Sequence, residues 1–253
     1  MTVSRALIAS GAWVLAALIF NAGIYFYQGH VKALEFLTSY CLELSLSVDN
    51  VFVFLLIFSY FKVPLARQSR ILFWGVLGAQ LMRLAFIVAG IALLNKFQWV
   101  IYIFGAFLVF TGIRLFDEKD QDIAPEHNPV LRTIKKFFPS LSQFWIVLIV
   151  IEITDLIFAV DSIPAVLAIT KDPFIVYSSN IFAILGLRAM YFALAGCMHL
   201  FHHLHYALGA ILVFVGLKML LEHYVPIPVA LTLGFIAAAL AVSVMTSNPN
   251  KSP

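Results

Sequence analysis

Long apolar runs alternate with short polar or proline-containing breaks along almost the whole chain of 253 residues. A helix that crosses a bilayer needs roughly 20 mostly apolar residues, and about eight segments of this chain meet that requirement. We therefore predict an all-α fold, a polytopic membrane helix bundle of about eight spans. The predicted spans are residues 6–27, 34–60, 71–94, 99–116, 144–169, 176–198, 204–221 and 226–246.

The chain also repeats itself, which predicts two related halves. The segment GAFLVFTGIRL from Gly105 recurs as GAILVFVGLKM from Gly209. In each half an acidic residue also stands six positions before an aspartate: Glu43 and Asp49, then Asp155 and Asp161. Each unit has an odd number of spans, three, and the loop between the units does not cross the membrane. The second unit is therefore expected to have the opposite orientation in the membrane, which makes it an inverted repeat. Inverted repeats are typical of secondary transporters whose substrate site lies at the repeat interface.

The repeats divide the chain into five parts. An N-terminal transmembrane helix (residues 1–30) precedes the first three-helix repeat (34–116). A polar cytoplasmic loop (117–143) leads to the second three-helix repeat (144–221), and a C-terminal transmembrane helix and tail follow (226–253). Lys and Arg residues concentrate on the side of the loop, so the positive-inside rule predicts that both termini are cytoplasmic.

Composition and charge narrow the class of protein further. Hydrophobic residues make up 62% of the chain and charged residues 11%, which is typical of a protein surrounded by membrane lipid. The net charge of +3 is scattered over loop ends and forms no basic patch, so we expect no nucleic-acid partner. The sequence leaves open whether the protein forms a homo-oligomer.

Five acidic residues fall inside the predicted spans, where a carboxylate at the bilayer centre costs roughly 2.5–3.5 kcal/mol. They are Glu43, Asp49, Glu152, Asp155 and Asp161. Ion pairs with Arg83 and Arg188, which also lie inside spans, are the structural alternative. Because five carboxylates outnumber these two guanidinium groups, we expect an ion pathway to account for the surplus.

A proline in the second acidic segment predicts how the ligands converge. Pro164 lacks a backbone N–H, so the helix is expected to kink or open there and to free carbonyl oxygens as ligands. Asp161 and Ser162 are then expected to face the first half of the protein. Their counterparts in that half are Asp49 and Asn50.

The candidate metal ligands are oxygen donors from both halves: Glu43, Asp49, Asn50, Glu152, Asp155, Asp161 and Ser162. Such hard donors suit Mn²⁺, Mg²⁺ or Ca²⁺ better than Zn²⁺ or Cu⁺. Na⁺ transport with H⁺ exchange remains an alternative. A histidine cluster with helical metal-ligand spacing follows at a span boundary, where imidazoles are also stable without a ligand. It consists of His199, His202, His203 and His205.

Two segments of the chain resemble the signature segments of the TerC family, the tellurium-resistance-associated membrane proteins. They are ELSLSVDNVFVFLLIFSYF from Glu43 and EITDLIFAVDSIPAVLAIT from Glu152. FNAGIYFYQG, ahead of the first segment, is similar to the Alx-like branch of that family. The resemblance extends from about Phe20 to Glu222. The loop between the halves and the C-terminal tail are shorter than in many members.

The resemblance implies a manganese exporter of the bacterial inner membrane, with Mn²⁺ as transported substrate and other divalent cations as further candidates. It also implies roles in relieving manganese toxicity, in metalating exported enzymes and in tellurite resistance. We therefore expect a secondary transporter rather than an enzyme, with H⁺ exchange as an open coupling mode. The alternatives are a membrane-embedded metal-dependent enzyme and a scaffold or partner protein in metal or tellurite stress resistance.

Overall fold

The computed structural model describes residues 3–117, 142–194, 204–221 and 223–246. Within these residues the chain forms eight α-helices and no strand. They are α1 (Val3–Gln28), α2 (His30–Tyr60), α3 (Leu65–Lys96), α4 (Val100–Asp117), α5 (Gln143–Leu167), α6 (Pro173–Leu194), α7 (Leu204–Leu221) and α8 (Val229–Thr246). The side chains of Asp49 and Arg188 lie outside the described part of the chain.

The helices have the length and apolar character of membrane spans. Six of the described helices contain segments that are long and apolar enough to cross a membrane, and α4 contains a shorter apolar stretch, Val100–Phe116. The six segments are Arg5–Gln28, His30–Tyr60, Arg67–Lys96, Pro173–Phe192, Leu204–Leu221 and Val229–Thr246. The predicted all-α polytopic bundle is therefore confirmed, with six to seven apolar spanning helices where the sequence predicted about eight.

Local sequence sets where several helices begin and end. Gly29 separates α1 from α2 with a φ angle of 88°, a conformation that is readily open to glycine. The Asp172 carboxylate caps α6 because its Oδ1 accepts hydrogen bonds from the backbone N–H groups of Phe174 (3.0 Å) and Ile175 (3.5 Å). Pro173 follows at the first helical position, where no N–H is needed.

The predicted opening of the helix at Pro164 is wrong. Helix α5 continues through this residue from Gln143 to Leu167, and the N–H of Ala168 donates to the Pro164 carbonyl at 3.0 Å. The residues from Ile163 to Leu167 are buried, so packing on neighbouring helices stabilises the helical backbone around the proline. The site therefore takes no carbonyl ligands from an unwound segment.

The helix contacts between the two halves are symmetric under exchange of α2, α3 and α4 with α5, α6 and α7. Helix α2 packs on α6, and its counterpart α5 packs on α3. Three further contacts between the halves join equivalent helices: α4 with α7, α2 with α5 and α3 with α6. The contact of α4 with α5 likewise corresponds to that of α2 with α7. Helix α1 covers α2 and α6, while α8 covers α2 and α7. An inverted three-helix repeat would generate such contacts between the halves, and the division into two repeats stays a prediction.

Helices α4 and α7 cross at four glycines. A Cβ atom on Gly105 would lie 2.9 Å from the carbonyl oxygen of Gly216, and one on Gly112 would lie 2.7 Å from that of Gly209. This pairing makes the helices antiparallel, so the second glycine segment is inverted relative to the first. Lipid is as apolar as leucine, so close backbone contact between small residues is a main source of helix association in membranes.

We expect Gly112→Ala to destabilise the protein because the added methyl group meets backbone atoms of α7. Its Cβ would lie 2.8 Å from the backbone nitrogen of Val213. Overpacking costs about 1–3 kcal/mol, which exceeds the gain of about 1 kcal/mol from alanine's helix propensity. Thermal unfolding in detergent measures the difference.

The matched control for this variant is Gly234→Ala in α8. No described atom lies within 4 Å of a Cβ at that position, so the control is expected to unfold at or slightly above the wild-type temperature. Equal unfolding temperatures for the wild type and Gly112→Ala would contradict the close crossing.

Candidate intramembrane ion site

A buried arginine occupies the centre of the bundle. Arg83 of α3 is 1% exposed, and its Nη1 donates a hydrogen bond to Oε2 of Glu43 on α2 at 2.8 Å. Its Nη2 and Nε donate to Oδ1 and Oδ2 of Asp155 on α5 at 3.2 and 3.3 Å. Nη1 also donates to the Ser162 hydroxyl at 3.3 Å. Three predicted ligands therefore converge, and an arginine fills the space between them.

Helix geometry explains this convergence. Asp155 and Ser162 are seven residues apart on α5, so they lie on one face of the helix. Glu43 is the counterpart of Asp155 in the repeat, so the inverted arrangement brings the two carboxylates to one guanidinium from opposite halves. Two ionised carboxylates and one guanidinium leave a surplus of one negative charge. Among the described side chains, the structural alternative, pairing with arginine, thus applies to Glu43 and Asp155.

A third carboxylate, Glu152, lies beside this cluster. It precedes Asp155 by one turn on α5 and packs against Gly78 of α3, where an added Cβ would overlap its carboxyl group. Within the described residues, Oε2 of Glu152 and both amide atoms of Gln80 on α3 are buried without a hydrogen-bond partner. Buried polar groups are normally paired, so these are typical of a place where a ligand or another side chain binds.

A polar stripe on α2 passes through the cluster. Ser39, Glu43 and Ser47 recur at four-residue spacing, which places them on one side of the helix. The two serines are 0% and 1% exposed, and neither hydroxyl has a partner in the described structure. Asn180 of α6 is fully buried next to the Glu43 carboxylate, although its amide does not reach hydrogen-bond geometry. The stripe thus adds hydroxyl and amide groups around Glu43.

Among the described side chains, the other predicted ligands make no hydrogen bond to Arg83. Asp161 accepts a hydrogen bond from the Thr111 hydroxyl of α4 at 3.3 Å, and Asn50 is buried at 3% exposure. The Asp49 side chain lies outside the described structure. So do three of the four clustered histidines: His199, His202 and His203. Among the described residues, no group of three or more His, Cys, Asp or Glu side chains is arranged to hold a metal ion.

A polar cleft of about 580 Å³ opens at the end of the bundle where α2 begins. Lys32 bridges Oε2 of Glu35 (2.9 Å) and Oδ2 of Asp172 (3.0 Å) in this cleft. The Thr170 hydroxyl donates to Glu35 at 2.6 Å. Glu35 stands two helical turns before Glu43, on the side of the α2 polar stripe. The stripe therefore extends from the cleft towards the buried arginine.

Hydrogen bonds join the helix ends at the opposite end of the bundle. Gln143 at the start of α5 donates from its side chain to the Phe61 carbonyl, which follows α2. Gln68 of α3 donates to the Val63 carbonyl at 2.8 Å and accepts from the Tyr191 hydroxyl of α6 at 2.9 Å. These contacts connect four helices where α2 ends.

Fold and site define a polytopic membrane protein with a charged centre. The chain belongs to the integral membrane protein TerC family, whose sequence model matches residues 28–252. Over 269 residues it is 44% identical to the membrane-bound redox modulator Alx of Escherichia coli K12, covering 96% of this chain and 84% of Alx. The resemblance to the Alx-like branch is therefore confirmed.

Two further relatives are uncharacterized membrane proteins. The chain is 43% identical to one from Myxococcus xanthus over 256 residues, covering 94% of this chain and 80% of that protein. It is 36% identical to one from Rickettsia bellii over 265 residues, covering 98% and 88%. No solved structure matches the chain.

Asp172 gives the cleft a definite pH response. Partial burial raises the pKa of this carboxyl group. The hydrogen bond and charge of Lys32, together with the backbone N–H groups of Ile175 and Phe174, outweigh burial and hold the pKa below its ordinary value. The folded state therefore binds this proton more weakly than the unfolded state. The resulting stabilisation is present above about pH 4 and is lost as the pH falls through the folded-state pKa.

We expect Asp172→Asn to lower the unfolding temperature near neutral pH and to have no effect in acid. Asparagine still caps a helix, so the variant removes mainly the ion pair with Lys32, which is worth about 0.2–1 kcal/mol for a partly exposed pair. Unfolding of both proteins, followed from about pH 7 down to about pH 2, measures the difference. A difference that persists unchanged at the lowest pH would exclude the ion pair as its cause.

Proposed function

We propose that the protein is a secondary transporter that exports a divalent cation, most notably Mn²⁺, through the site at Glu43 and Asp155. One observation carries the proposal: these carboxylates come from equivalent positions of two repeats and meet in the buried centre of an apolar bundle. Ionisable groups at membrane depth are costly and are typical of ion and substrate pathways. Membership of the TerC family supports a membrane transport or metal-related role.

The chemistry of the cluster favours a hard divalent cation. Glu43 and Asp155 offer carboxylate oxygens, Ser162 a hydroxyl and Asn180 an amide oxygen, which are ligands that suit Mn²⁺, Mg²⁺ and Ca²⁺. Once Arg83 no longer pairs with these carboxylates, a divalent cation balances their two negative charges, whereas a monovalent cation leaves one unpaired in a medium of low dielectric constant. The remaining predicted ligands are proposed contributors to the pathway: Asp49, Asn50, Glu152 and Asp161.

The two ends of the bundle support an alternating-access cycle. The cleft at Lys32 leads towards the cluster along the α2 polar stripe, while hydrogen bonds at Phe61 join the helices at the opposite end. In transporters with inverted repeats, the halves exchange conformations and open the other end. We assign the cleft to the outer face of the bacterial inner membrane, because the positive-inside rule places both termini in the cytoplasm. H⁺ exchange is the proposed coupling reaction.

Transport by the purified protein in liposomes tests the proposal. We expect Mn²⁺ flux with the wild type, and flux reduced about tenfold or more by Glu43→Gln and by Asp155→Asn, because each variant removes a charge that balances the cation. Asp117→Asn makes the same chemical change at the last residue of α4, which is not among the predicted ligands, and is expected to transport at the wild-type rate.

The assay also separates the competing functions. Parallel measurements with Mg²⁺, Ca²⁺ and Zn²⁺, with and without a pH gradient, identify the substrate and the coupling. Wild-type protein that moves no divalent cation would remove the proposal, as would full transport by both carboxylate variants. Turnover of a lipid or peptide without ion flux would favour the membrane-enzyme alternative.

A further inference from the structure

Arg83 binds the oxygen atoms that a transported cation would need. Its guanidinium group holds Oε2 of Glu43, both carboxylate oxygens of Asp155 and the Ser162 hydroxyl. A divalent cation of this class lies about 2.0–2.6 Å from its oxygen ligands. The guanidinium occupies the space between the same atoms, so it must move away before a divalent cation can bind.

Among the described residues, unpaired polar atoms that could accept hydrogen bonds from a guanidinium lie next to the cluster. Glu152 is one turn from Asp155, and within the described part of the chain its buried Oε2 has no hydrogen-bond partner. Gln80 precedes Arg83 by three residues on α3, and its buried amide oxygen is also unpaired in the described structure. It can therefore accept a hydrogen bond.

The backbone of α3 gives an arginine side chain access to the oxygen atoms of Glu152 and Gln80. Side chains on a helix point towards its N-terminus, which is the direction of Gly78 and Gln80 from Arg83. Gly78 has no side chain, and the Glu152 carboxyl group fills the space that a Cβ would take. A rotamer change of Arg83 along its own helix therefore leads towards Glu152.

We propose that Arg83 is a tethered competitor of the transported cation. Without cargo, its guanidinium neutralises Glu43 and Asp155. When a divalent cation arrives, the guanidinium moves to Glu152 and Gln80 and releases the two carboxylates. This inference rests on the proposed transport function and describes how its site is regulated.

The competition sets how tightly the cargo binds. A cation binds only the fraction of molecules in which Arg83 has moved, so the apparent affinity falls by that fraction. The guanidinium makes four charge-assisted hydrogen bonds to described side chains at this place, so the internal competitor weakens binding about tenfold or more. Weak binding serves transport, because a cargo that binds too tightly does not leave. The returning guanidinium then helps to displace the cation.

Mn²⁺ binding to the purified full-length chain, measured by equilibrium dialysis, tests the inference. We expect Arg83→Gln to bind Mn²⁺ about tenfold or more tightly than the wild type and to release it slowly, so that transport slows. Added Mn²⁺ is expected to raise the unfolding temperature of this variant more than that of the wild type, because it replaces the missing charge. Arg70→Gln, an exposed arginine of the same helix, is the control and is expected to match the wild type.

A double-mutant cycle tests the second binding place. Glu152→Gln is expected to weaken Mn²⁺ binding about tenfold when Arg83 is present, because the displaced guanidinium then has no partner. In the Arg83→Gln background the same change is expected to have a much smaller effect, because no displaced guanidinium then needs a partner. A purely structural role of the ion pairs gives neither the tighter binding nor this dependence.

Each failure has its own signature. A folded Arg83→Gln protein with unchanged or weaker Mn²⁺ affinity, beside an active wild type, overturns the tethered competitor and leaves the transport function standing. If the effects of Arg83→Gln and Glu152→Gln on the free energy of Mn²⁺ binding are additive, Glu152 is not the second binding place. If Arg83→Gln does not fold, Arg83→Lys keeps the charge but loses the planar fork, and unchanged affinity in that variant overturns the inference. Wild-type protein that neither binds nor transports Mn²⁺ overturns both proposals.

Discussion

The ion pairs of Arg83 with Glu43 and Asp155 are the interaction on which the centre of this membrane protein depends. A charge that loses its partner inside a protein costs about 3–5 kcal/mol, and lipid offers no water to replace the partner. One guanidinium group therefore fixes the relative rotation of α2, α3 and α5, which belong to both repeats. The same requirement explains why a cation would be accepted at this place only as a substitute for the arginine.

The two kinds of contact between the repeats suit different tasks. At the crossing of α4 and α7, glycines bring backbone against backbone, and such a contact tolerates little change. Around Arg83, long side chains and unpaired polar groups meet, and these rearrange by rotamer changes at low cost. In the proposed cycle, the glycine crossing would stay fixed while the polar region changes its hydrogen bonds.

Much of this fold was predictable from sequence, and the exceptions have physical causes. The length of the apolar runs predicted the positions of the helices. The paired acidic motifs predicted Glu43 and Asp155 as candidate ligands, because uncompensated charge is rare in membrane spans. The central position of Arg83 was not predictable, since sequence does not give the rotation of α3 against its neighbours. Asn180 was overlooked, although an asparagine within an apolar run was a signal. The break at Pro164 was wrong because local propensity ignores packing around the proline.

Asp172 uses its two carboxylate oxygens for different partners. Oδ1 caps the first turn of α6, and Oδ2 binds Lys32 of the cleft. Ions that accumulate in the cleft screen this pair and leave the cap to hold the carboxylate alone. The helix that carries Asn180 to the buried centre thus starts at a residue whose ion pair weakens as the salt concentration rises, while its cap to the backbone stays in place.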